Sequence, residues 1–181
     1  MRTIKQPGQP ARPRILSVPA RSGGEFRVVL PEGRDLLGGL VTVLREIGIV
    51  SAAVALIGGR FRHMHYLTGQ PCNDGTRVAT YGEPTILEGP VRLVSGNAFL
   101  GLDQRGQPIV HCHAVVIDRQ GRVHGGHLPP GVCIVGAGGI VAHVAAIEDA
   151  ALAVRHDDET NFPVFHPTLL DATAGSRAGA A

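Results

Sequence analysis

The chain has 181 residues, 44% hydrophobic and 18% charged, enough apolar material for one packed domain and too much for a wholly disordered chain. It lacks tryptophan and has few aromatic residues, which argues against extensive base stacking on aromatic platforms. The net charge of +2 is uneven: residues 1–34 hold seven basic residues against Glu25 and Glu32, a surplus of +5, so the remainder is +2 less +5, or −3. A basic arm on a mildly acidic body is a limited nucleic-acid signal, because phosphate binding needs clustered positive charge. Cys72, Cys112 and Cys133 are odd in number and not in CxxC spacing. With no apolar leader ahead of them, they read as reduced thiols of a cytoplasmic protein. No apolar run is long enough for a membrane span.

Residues 1–24 are rich in Pro, Arg, Gln and Gly, and Pro7, Pro10, Pro13 and Pro19 read as an extended or disordered arm. Phe26 to Leu30 suits a first strand, and Pro31-Glu32-Gly33 a turn. Asp35 is placed to cap a helix whose stripe is Leu36, Leu40, Val43, Leu44 and Ile47, ended by Gly48. Ile49 to Ile57 reads as a buried strand bounded by Gly58-Gly59. Arg60 to Leu67 then alternates, with Phe61, His63, His65 and Leu67 on one face. His63 and His65 form one HxH pair without a visible third ligand. They serve either a separate metal or a pocket lining in which one of them moves a proton.

Thr68 to Gly82 is a turn-rich excursion, the kind of loop that often carries specificity. Thr85 to Leu87 and Pro90 to Val94 read as strands broken at Glu88-Gly89, and Gly96-Asn97 opens another through Leu102, with Asn97 as a turn residue in preference to one whose amide orients a ligand. Asp103 to Gly106 and Asp118 to Gly121 share an Asp-x-x-Gly pattern, as in a meander of hairpins. Val135-Gly136-Ala137-Gly138-Gly139 lacks the third glycine of a dinucleotide fingerprint, and Ile140 to Ala146 follows as strand. Asp157 to Phe165 reads as a short exposed segment, so a domain of residues 25–166 would be followed by a disordered tail, 167–181.

The chemistry concentrates in Gly106 to Leu128. His111 and His113 are two apart in a β-branched run and share a face if that run is a strand. A three-residue loop with Gly121 in the left-handed conformation would pair Asp118 with Arg122. Partner numbers then sum to 240, and His127 faces His113. A two-residue loop would instead turn His127 to the opposite face. In the first register three imidazoles converge, the ligand set of a divalent metal with one position left for water or substrate. Cys112, between the two histidines, falls on the other face and reads as core.

Gly96-Asn97, Asp103, Gly106, Pro108, His111, His113, Asp118, Gly121 and Gly125-Gly126-His127-Leu128 together resemble the plant and prokaryote conserved (PPC) domain, whose bacterial members are often called PD1-like DNA-binding proteins. The resemblance spans about Phe26 to Arg155. It implies an α/β (α+β) fold with a mainly antiparallel sheet on one long helix, a homotrimer, and in several prokaryotic members a metal at the histidines. Plant members carry an AT-hook near the N-terminus. The nearest text here, Pro10-Ala11-Arg12-Pro13-Arg14, lacks the core glycine.

Three functions are consistent with these residues. A metal-dependent enzyme would use Zn2+, or another divalent transition metal, on His111, His113 and His127 to bring a water's pKa to about 7 and hydrolyse an ester, lactone or amide of a small molecule. By residue type alone, His65, Glu88 and Glu148 are candidates for its general base. A DNA-associated transcriptional regulator would use the basic arm. A small-ligand sensor would keep the metal as a structural clamp.

Overall fold

An amphipathic helix and strands with one apolar face each leave a surface that water disfavours, and both are satisfied by packing together. In the computed structural model, which describes residues 5–170, α1 (Leu36–Glu46) buries Leu36, Leu37, Leu40 and Leu44 against one face of a sheet. The strands are β1 (Arg21–Leu30), β2 (Ala52–Tyr66), β3 (Gly69–Pro71), β4 (Ala79–Tyr81), β5 (Thr85–Leu102), β6 (Pro108–Ile117), β7 (Val123–His127), β8 (Ile134–Glu148), β9 (Ala150–Asp157) and β10 (Phe162–Leu169).

The main sheet runs β1-β8-β2-β5-β6-β7 with antiparallel neighbours. β9 touches β5 in parallel at Leu102 and Ala153, and β10 pairs with β9. β3 and β4 form a small hairpin of their own. The architecture is mixed α/β and mostly antiparallel sheet, but the helix is short: eleven residues, about three turns. That helix is also too short to cross a membrane, as is any helix among the described residues.

β7 has a partner on each side. Beyond β6, its His127 exchanges both backbone hydrogen bonds with Leu67, just past the end of β2, at 2.8 and 2.9 Å. Strands β2, β5, β6 and β7 therefore close into a ring. A side chain at position 126 would forbid this, because a Cβ there would stand 2.4 Å from the Leu67 carbonyl oxygen. The inner face holds Val54, Leu56, Val91, Leu93, Leu100, Val110, Cys112, Ala114 and Val116 beneath the helix. The outer face leaves Ile57, Phe99, Ile109 and Val115 exposed.

Several strand limits differ from the sequence reading. β2 runs unbroken through Gly58-Gly59, and β5 through Glu88-Gly89, because Gly59 and Gly89 serve close backbone approach and not chain reversal. A Cβ on Gly59 would meet the Gly139 oxygen at 2.3 Å, and one on Gly89 the Arg62 oxygen at 2.4 Å. β1 begins at Arg21, inside the stretch read as an arm, drawn in by pairing with β8. Asp157 to Phe165, read as a short exposed segment, holds the turn and much of β10, and that strand continues to Leu169, past the residue 166 boundary. Residues 171–181 of the expected tail lie outside the described residues.

Candidate metal centre

The turn after β6 decides where the third histidine lies. The Asp118 amide donates to the Arg122 carbonyl at 3.0 Å and Gly121 has φ 80°, so the loop is the three-residue one. The Asp118 carboxylate locks it, accepting from the amides of Gln120 and Arg122 at 2.9 Å each and from Arg122 Nε at 2.7 Å. Pairing then runs from Ile117–Val123 to His113–His127.

His111, His113 and His127 thus meet on the outer face. Their ring centroids are 4.6 to 5.4 Å apart, His111 Nε2 and His113 Nε2 are separated by 3.0 Å, and one ligand atom from each lies within 4.8 Å of the others. Burial, and then the neighbouring His113, push the His111 imidazole below its ordinary value. Burial, followed by His111 and His113, takes His127 down to about 4. Both rings are therefore neutral at neutral pH, the form that binds a metal. His127 Nδ1 is buried without a hydrogen-bond partner, an uncommon state for a ring nitrogen unless an unseen partner such as an ion completes it. The donor set fits a divalent transition metal on all these counts. Cys112 does not join it: it is fully buried on the inner face, where burial and then nearby Cys133 push its thiol up to about 12.

The site opens into a pocket of about 380 Å³ lined by Leu67, Thr68, Tyr81, His113, His127 and Phe162. The excursion 68–82 supplies one wall and the β9–β10 hairpin the other. Phe165 stands edge-on to His111 at 6.2 Å, and a second cavity of about 320 Å³ adjoins His111 beneath the hairpin. The walls are mostly apolar, as in small-molecule sites.

Of the base candidates, none stands at this centre. His65 and Glu88 both bond to His63, through Nε2 and Nδ1 respectively, each at 2.9 Å. Glu148 is on β8, paired with Arg21 of β1 and separated from β6 by β2 and β5. Asn97 sits not in a turn but in β5 opposite His113.

Sequence reasoning missed Tyr81, Phe162 and an inner-face network in which His124 joins the Tyr66 hydroxyl at 3.2 Å to Asp118 at 2.9 Å. Burial pushes the Asp118 carboxyl up, but bonds from His124, Arg122 and the Gln120 amide outweigh it and hold it well below the usual carboxylate range. His124 was findable, since alternation in β7 sets it on the face opposite His127.

Residues 18–146 match the profile described as the Plants and Prokaryotes Conserved (PCC) domain. Among solved structures, the chain is similar to the metal-containing protein AF0104 from Archaeoglobus fulgidus, with 20% identity, a TM-score of 0.68, and coverage of 83% of this chain and 99% of that one. It is also similar to a plant- and prokaryote-conserved protein from Pyrococcus horikoshii, with 18% identity, a TM-score of 0.67, and coverage of 86% and 100%. A Ralstonia eutropha protein with a provisional DNA-binding name shows 22% identity and a TM-score of 0.61 over 77% and 88%. No curated protein matches the chain.

Proposed function

The chain belongs to the Plants and Prokaryotes Conserved domain family, and on that premise we propose that His111, His113 and His127 hold zinc or another divalent transition metal at which a small molecule is hydrolysed. The observation that carries the reading is the convergence of three imidazoles, one with an orphaned buried nitrogen, at the mouth of an apolar pocket. Such a metal, with three protein ligands and a free position, supplies Lewis acidity and an activated water for an ester, lactone or amide. The chain's own residues do the rest. Tyr81 and Phe162 bound the pocket, exclude bulk water, and offer flat apolar surface to the organic part of a substrate.

The test is metal content after desalting, together with turnover of a panel of small esters, lactones and amides. The parent should retain a divalent metal and His113→Ala should not; hydrolysis should vanish with chelator and return with metal. Equal metal in both proteins would end the proposal. Metal without turnover would leave the sensor role, with the ion as a clamp.

A second reading, DNA association, is supported by the +5 surplus of residues 1–34 and by the name of the Ralstonia neighbour. Part of that arm is already engaged, because Arg14 and the Ala11 amide both bond the buried Glu159 carboxylate. Duplex DNA should shift at low salt with the full chain and not after deletion of residues 1–24. The exposed outer-face residues Phe99, Ile109 and Val115 support self-association, with a trimer as the expected mass by light scattering.

A further inference from the structure

A second pair of histidines is built for the same kind of chemistry. Strict alternation from Phe61 would bury His63 and His65, because Phe61 is fully buried. Pairing with both β5 and β8 slips between Phe61 and His63, and from there Met64 takes the core position. Such irregularities re-aim side chains, and this one turns both imidazoles outward.

Outside the core the two rings do not diverge. His63 Nε2 and His65 Nε2 stand 2.9 Å apart, with ring centroids at 4.8 Å. On the far side of the ring, His63 Nδ1 bonds Glu88 Oε1 at 2.9 Å, and Glu88 pairs with His63 across β5. A carboxylate on Nδ1 fixes that proton there and leaves Nε2 as a lone-pair donor, the outer-shell arrangement typical of metal-bound histidine. Two nitrogens each about 2.0–2.1 Å from one ion and at right angles to each other are about 2.9 Å apart, whereas tetrahedral angles would spread them to about 3.3 Å. The observed separation is within the span of two ligands on one ion, as is the 3.0 Å at His111 and His113, and with only two imidazoles the ions that bind are those highest in the affinity order for nitrogen donors, copper(II) and nickel(II).

We infer that His63 and His65, oriented by Glu88, form a second and separate site for a divalent transition metal of the copper(II) or nickel(II) type. The site has two protein ligands and further positions open to solvent, so it fills when metal is supplied and does not retain it through desalting. It stands independently of the three-histidine reading. The competing account of the same distances is a hydrogen bond from His65 Nε2–H to His63, which needs no ion.

The experiment titrates chelator-treated full-length protein with Cu2+, reading stoichiometry by calorimetry and nitrogen coordination by electron paramagnetic resonance. His65→Ala should bind one Cu2+ fewer per chain than the parent. The same difference of one should separate His65→Ala from its background when both carry His113→Ala, so failure of the three-histidine site cannot mask it. Glu88→Gln, which removes no ligand, should weaken this binding by about 10–100-fold. Since His65 is only partly buried and Glu88 is exposed, unchanged circular dichroism should accompany each change. Equal copper number in parent and His65→Ala, or Glu88→Gln binding as tightly as the parent, would overturn the inference in favour of the hydrogen-bonded pair.

Discussion

Tyr81 lies almost flat against His127, with ring centroids 4.8 Å apart and planes 18° from parallel. It reaches there from β4, in an excursion that shares no sheet with β7, so residues 68–82 and the His127 ring are physically one unit. Removing the ring in Tyr81→Ala should hydrate His127 and raise its pKa in metal-free protein back toward 6.5, whereas Tyr81→Phe should leave it low. Imidazole proton shifts followed by NMR check this. The stacked pair should be worth about 0.5–1.5 kcal/mol of stability.

Acid should destabilise the metal-free protein in a definite window. His127 titrates at about 4 when folded and near 6.5 when unfolded, so the unfolded chain takes the proton first. Stability therefore rises with pH between those values and is lost as pH falls through them. His111, displaced in the same direction, adds to the slope. Both rings are partly exposed, so solvent screening moderates the effect. Urea midpoints in chelator from pH 4 to 7 should show the slope, and His127→Asn should flatten it.

Gly126→Ala should be costly out of proportion to its size. The new methyl group meets the Leu67 carbonyl oxygen at 2.4 Å, which is backbone and cannot swing away. Overpacking of this kind costs about 1–3 kcal/mol, and displacement of β7 should weaken metal binding as well. Gly121→Ala, strained by φ 80° but free of contacts, should lower stability while sparing the metal. Thermal melts and metal content together separate the two.

The twin turns offer an internal control. Asp103 and Asp118 both accept amides two and four residues on, at Arg105 and Gln107 and at Gln120 and Arg122. Asp118 alone is buried and also holds Arg122 and His124 side chains. Asp118→Ala should therefore lower the melting temperature by more than Asp103→Ala, and only the former should reduce metal content.

The helix, the meander and the histidine register were legible because each depends on neighbours in sequence: an aspartate cap at Asp35 accepting from Gly38, a stripe of leucines, a glycine three residues after Asp118. What escaped depends on contacts across the chain. Gly59 and Gly89 look like strand breakers until the facing backbone is known, and Phe61 and His63 look like one face until the slip between them is seen. Tyr81 meets His127 through a contact between two different sheets, and nothing in residues 68–82 announces that neighbour.

Since His127 commits both its backbone hydrogen bonds to Leu67 while its side chain faces His113 on β6, an occupant of the centre would also fasten the seam of that ring of strands. Amide deuteration at positions 67 and 127 should slow together on loading with metal, a backbone clock for occupancy that needs no substrate.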